Sequence, residues 1–146
     1  MGKAVCFAGH RESWENRGIE EKLRELILML IQEGYTLFYV GQKGEFDRLA
    51  ARLLREIRSK NNSVRIMRVV SYSEVMREKE DLFYEYVTPE IEEVYFKRQI
   101  IERNKWMVDQ CDVLVCNVRR KRESGAYHTF RYAETKGKRI INLTGF

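Results

Sequence analysis

The sequence predicts an α/β fold, a mainly parallel sheet of about five strands within a three-layer α/β/α sandwich. Three observations carry this. Short, almost wholly apolar runs alternate with stretches whose apolar residues recur at i, i+4, i+7 and i+8, the strand and helix periods in turn. The apolar runs have little inside/outside alternation, as expected of strands covered on both faces. The connections between them are short and carry glycine or polar breaks, which gives strand-helix-strand units with right-handed crossovers.

The elements follow in order. "AVCFA" at 4–8 is a central strand ending in Gly9. Ile19, Leu23, Leu26, Ile27, Leu30 and Ile31 form the stripe of a first helix, stopped by Gly34. "YTLFYVG" at 35–41 is a second buried strand, and Phe46, Leu49, Ala50, Leu53, Leu54 and Ile57 repeat the helical spacing before the polar break "SKNNS". "VRIMRVV" at 64–70 is a third strand, set nearer the sheet edge by Arg65 and Arg68. Residues 71–90, rich in charge and in Tyr72, Tyr84 and Tyr86, carry no clear period; Thr88-Pro89 marks the start of a long helix with Ile91, Val94, Ile101 and Val108. "DVLVCNV" at 112–118 is the fourth strand, a helix runs from about 125 to 136, and "RIINL" at 139–143 is the fifth. Together they describe a Rossmann-like sandwich, and 146 residues suit a single domain over 1–146.

Composition narrows the setting. Hydrophobic residues make up 44% and charged residues 34%, with one proline and nine glycines, a balance that favours a chain folded nearly throughout. The longest apolar run, at 26–31, is far shorter than the roughly 20 residues that span a bilayer, and the first residues lack the pattern of a signal peptide. A cytoplasmic protein with no membrane partner is expected. Cys6, Cys111 and Cys116 are odd in number and lie in or beside strands, so they are expected as buried free thiols, with no disulfide framework and no metal site. A net charge of +5 suits anionic partners, although many of the charges, such as Glu20, Glu21, Arg24 and Glu25, fall on polar helix faces.

In such sheets ligands bind outside the carboxyl ends of the strands where strand order reverses. The segments leaving those ends are 9–13, 41–47, the stretch after 70, and 118–125. "GHR" puts Gly9 at a strand tip and follows it with His10 and Arg11, donors suited to phosphate or carboxylate. "GQKGEFD" puts Gly41 at a strand end and Gly44 at a helix entry, where free N–H groups favour an anion. It has neither the dinucleotide fingerprint nor the P-loop ending. Asp47, in the first turn of that helix, suits either a helix-dipole role or a hydroxyl ligand. "ERNKWMVDQCD" at 102–112 places Arg103, Asn104 and Met107 on one helical face. "RRKRESGAYHTFRYAE" at 119–134 places four basic residues before Ser124 and Gly125, a helix start able to cap itself or to bind phosphate. The two histidines, His10 and His128, stand in no recognisable nucleophilic arrangement.

"CFAGHR", "GQKGEFD", "RNKWMVD" before the strand DVLVCNV, and "SGAYHTFRYA" before "GKRIINL" occur in the order of the YpsA-like branch of the SLOG superfamily, which the chain resembles over nearly its whole length. SLOG domains are similar to the DNA-processing protein DprA/Smf and to the LOG phosphoribohydrolases. The resemblance implies a Rossmann-like sheet, a bound nucleotide or nucleotide-derived ligand as the only cofactor-like group, and a homodimer. It carries a ligand site onto Gly9, His10, Arg11, Gly41, Gly44, Asp47, Arg103, Asn104, Ser124 and Gly125. The chain departs from the family in two places. Ser124-Gly125-Ala126 replaces a Gly-Gly-Thr turn, and Thr129 stands where the LOG and deoxyribosyltransferase motifs have their glutamate. A threonine cannot supply that carboxylate. The expectation is therefore a non-catalytic module that binds or senses a nucleotide-like small molecule. The alternatives are an N-glycosidic enzyme with a replaced carboxylate, drawn from Glu12, Asp47 or Glu123, and a DprA-like nucleic-acid binder using 119–122.

Overall fold

A computed structural model of the chain describes residues 3–10, 18–41, 44–70, 85–87, 89, 96–119 and 124–144. The elements are β1 (Lys3–Gly9), α1 (Glu20–Gln32), β2 (Tyr35–Val40), α2 (Glu45–Arg58), β3 (Arg65–Val69), β4 (Glu85–Val87), α3 (Phe96–Gln110), β5 (Val113–Asn117), α4 (Gly125–Thr135) and β6 (Arg139–Asn142). The strands form one sheet in the order β4-β3-β2-β1-β5-β6, and every neighbouring pair is parallel.

The sheet has six strands rather than about five. The addition is β4, three residues long at the edge beyond β3, in the stretch that carries no clear period. Its sequence EYV is exposed or half-buried throughout, so it lacks the apolar run that marks the other strands. Arg65, which set β3 toward the edge, forks onto Glu85 of β4, with Nε and Nη2 donating at 2.9 and 2.8 Å. The helical spacing expected of residues 19–31, 46–57 and 125–136 corresponds to α1, α2 and α4. Of the long helix expected from 88–89, α3 is described from Phe96; Ile91 and Val94 lie outside the described residues, Val108 is buried and Ile101 is exposed.

Alternate residues of the central strands feed two cores, one per face. Val5, Phe7, Phe38, Val40, Val113 and Val115 pack with Leu23, Ile27 and Leu30 of α1 and with Phe46, Ala50, Leu53 and Leu54 of α2. Ala4, Cys6, Ala8, Leu114 and Cys116 pack with Met107 and Val108 of α3 and Ala126 and Ala133 of α4. This is the three-layer sandwich, and it explains why β1 and β5 read as unbroken apolar runs: both of their faces are covered.

Charged side chains tie helices on the outside. Arg52 bridges Glu20 of α1 at 2.6 Å and Glu56 of α2 at 3.2 Å, while Arg24 reaches Glu56 at 2.9 Å. On the other face the Tyr132 hydroxyl of α4 donates to Asp109 of α3 at 2.8 Å. Cys6, Cys111 and Cys116 are free and buried; burial pushes the Cys116 thiol up to about 12 and the Cys111 thiol above the usual thiol range. Such thiols carry little nucleophilic character. No helix among the described residues is long and apolar enough to cross a membrane.

Candidate ligand crevice at the switch point of the sheet

Chain order runs outward from β1 through β2 and β3 on one side and from β5 to β6 on the other. The order therefore reverses between β1 and β5. In open parallel sheets the connections from two such strands leave toward opposite faces and open a crevice at their carboxyl ends. Here the two strands end in register, with Gly9 of β1 opposite Asn117 of β5. Asn117 is completely buried.

Gly9 owes its identity to α2. A Cβ on it would overlap the ring of Phe46, which sits in the first turn of α2 and plugs the strand tip. An aromatic side chain thus makes the close approach at this glycine. His10 is only 4% exposed, and its Nε2 accepts the backbone N–H of Arg119 at 3.0 Å. The exit from β5 is held on its other flank as well: Asn142 Oδ1 accepts from Val118 N, and Asn142 Nδ2 donates to Val118 O, both at 3.0 Å.

A second cluster lies one strand over, at the tip of β2. A Cβ on Gly41 would fall 2.9 Å from Asp47 Oδ2 and 3.1 Å from Arg103 Nη2. The glycine lets a carboxylate from α2 and a guanidinium from α3, on opposite faces of the sheet, close over the strand end. Both are buried, Asp47 at 8% exposure and Arg103 at 1%. Arg103 Nη2 also donates to Asn104 Oδ1 at 3.2 Å. Charged groups at this depth are tolerated only with polar neighbours, and the Gly41 tip supplies that arrangement. Gly44 follows as the N-cap of α2 with φ +93°, a conformation suited to glycine. No side-chain hydrogen bond caps α2 there.

The third component is the start of α4. Of the two roles open to Ser124, the structure displays capping: its Oγ accepts from Tyr127 N at 3.1 Å. Gly125 is exposed, with no heavy atom within 4 Å of where its Cβ would stand. Thr129 is buried, and its hydroxyl donates to Gly125 O at 2.9 Å, so this position closes the helix upon itself. His128 is exposed on the same helix. Asp112 belongs to the opposite, amino ends of the central strands, where its Oδ2 accepts from Ala4 N at 2.9 Å.

The sequence-derived site residues thus sort into clusters. Gly41, Asp47, Arg103 and Asn104 meet at the tip of β2, Gly9 and His10 stand at the switch point, and Gly44, Ser124 and Gly125 open the helices beyond strand ends. Arg11, Glu12, residues 120–122 and Glu123 lie outside the described residues. Asn117 and Asn142 escaped the motif reading. The signal for Asn117 was one amide inside an otherwise apolar strand, a group that needs a reason to be buried. Among the described residues no group of three His, Cys, Asp or Glu side chains is arranged to hold a metal ion.

The architecture defines a Rossmann-like α/β chain with its candidate site at the sheet switch point. No protein-family model matches the chain, and no curated protein matches it significantly. Among solved structures it is similar to DNA processing protein A (DprA) from Streptococcus pneumoniae, with a TM-score of 0.60 and 15% identity over 95% of this chain. The chain spans about half, 49%, of that protein's length. The likeness is one of fold.

Proposed function

We propose that the chain is a SLOG-type module, of the YpsA-like kind, that binds a nucleotide or nucleotide-derived ligand across the carboxyl ends of β1 and β5. The observation that carries this is the reversal of strand order at the in-register Gly9 and Asn117 tips, the position where open α/β sheets bind ligands. The uncapped start of α2 at Gly44 and the start of α4 at Gly125 offer backbone N–H groups suited to phosphate. Arg11 supplies a cation on the segment leaving β1.

The module holds its ligand without cutting it. Thr129 spends its hydroxyl on the helix backbone, the thiols are buried, and Asp47 packs beside the Arg103 guanidinium at Gly41. None of these is presented as a nucleophile.

Mass spectrometry of small molecules released from the purified, denatured protein tests this directly, with a nucleotide or nucleotide derivative as the expected species. The Arg11→Ala variant is expected to lose that ligand while melting within a few degrees of wild type. Undiminished retention in the variant would remove Arg11 from the site.

The fold shared with DNA processing protein A, together with the exposed Arg119 that opens the basic run, favours nucleic acid as the second reading. That reading requires affinity for single- or double-stranded DNA that falls steeply with salt, by roughly 0.7–0.9 log units per log unit of salt for each phosphate contacted. A nucleotide held at one site gives a shallow slope.

A further inference from the structure

We infer that His10 is a positioning residue: as the neutral Nδ1–H tautomer it accepts the Arg119 amide and sets the path by which the chain leaves β5 at the switch point. A backbone amide only donates, so Nε2 must present its lone pair to Arg119 N at 3.0 Å. The ring proton of a neutral imidazole then resides on Nδ1. Because Nε2 has a single lone pair, this geometry leaves it no N–H with which to grip an anion. Nε2 therefore acts on the crevice through the backbone it holds.

The location gives the contact its consequence. The regular ladder between β1 and β5 stops at Gly9 and Asn117. One step beyond, the imidazole of His10 replaces the strand carbonyl that a longer ladder would have provided. From the β6 side Asn142 brackets Val118 through both its amide and its carbonyl, and the Thr144 hydroxyl donates to the same carbonyl at 3.3 Å. Two consecutive residues past the ladder are thus fixed by side chains from opposite flanks. The basic stretch that begins at Arg119 starts from a set backbone.

This role rests on the proposed ligand crevice only for its benefit to binding; the contact itself is testable on the protein alone. Nitrogen-15 NMR of the wild-type protein labelled at histidine reads the tautomer, and amide hydrogen exchange at Arg119 reads the latch. His10 is expected to show a protonated Nδ1 and a bare Nε2 at neutral pH. In His10→Ala the Arg119 amide is expected to exchange about tenfold faster, the worth of roughly one hydrogen bond. His10→Gln, whose Oε1 restores an acceptor, is expected to return it to the wild-type rate, with Val115 in β5 unchanged in all three proteins. A protonated Nε2 overturns the inference, as does unaltered Arg119 exchange in His10→Ala or failure of His10→Gln to restore protection. The tautomer is read on wild-type protein, so it decides even where His10→Ala does not fold.

Discussion

Three glycines at the crevice carry three different physical burdens. Gly9 is small because Phe46 lies on it, Gly41 because Asp47 and Arg103 close over it, and Gly125 faces open space. Gly9→Ala is therefore expected to lower stability by about 1–3 kcal/mol, the usual penalty for overpacking. Gly125→Ala is expected to raise it by up to about 1 kcal/mol, because alanine restricts the unfolded chain and fits the helix start without strain. Urea denaturation separates the two; equal losses would contradict the packing described. If a phosphate approaches the backbone at Gly125, the same alanine variant weakens nucleotide binding without costing stability. Gly9 and Gly41 were visible in the sequence as strand endings and Gly125 as a helix start. The causes at Gly9 and Gly41 were not, since both depend on a side chain brought in from another element: Phe46 for Gly9, Arg103 for Gly41.

At the scale of elements, legibility followed how much apolar surface each one buries. β1, β2 and β5 announced themselves as apolar runs because both faces are covered, and α1, α2 and α4 through their stripes. β4 buries little and remained unread. Its attachment is correspondingly polar and local: the Arg65–Glu85 fork and a hydrogen bond from Val70 N to Val87 O at 3.0 Å. The Arg65 guanidinium, through its hydrogen bond, holds the Glu85 carboxyl below the usual carboxylate range. A carboxyl whose folded-state pKa is depressed lends stability above its unfolded pKa and withdraws it as pH falls through the folded value. Docking of β4 is thus expected to weaken as pH drops below about 4. Protection of the Val70 amide, corrected for the intrinsic pH dependence of exchange, should fall there sooner than that of Val115 in the central strand. Parallel loss at both amides would show that β4 is held by something other than this pair.

The whole molecule shows what strand order adds to motifs. Taken singly, "GHR", "GQKGEFD" and the start of α4 were turns of uncertain neighbourhood. The sheet order puts the reversal between β1 and β5, which makes the Gly9 and Asn117 tips the centre and the β2 cluster of Asp47 and Arg103 its flank. Asn117 could not be placed from sequence because its significance lies in pairing with a residue 108 positions away. The same strand order underlies the fold shared with DNA processing protein A over 95% of this chain. The most direct test is a two-dimensional amide NMR titration with AMP, ADP and ATP. The expected result is saturable shifts concentrated at Gly9, His10, Gly44, Asn117, Arg119 and Gly125, with residues at the amino ends of the strands such as Asp112 and Arg139 unmoved. Binding that shifts amides away from the β1 and β5 tips, or no saturable shift with any of the three nucleotides, would contradict the placement of a nucleotide site at the switch point.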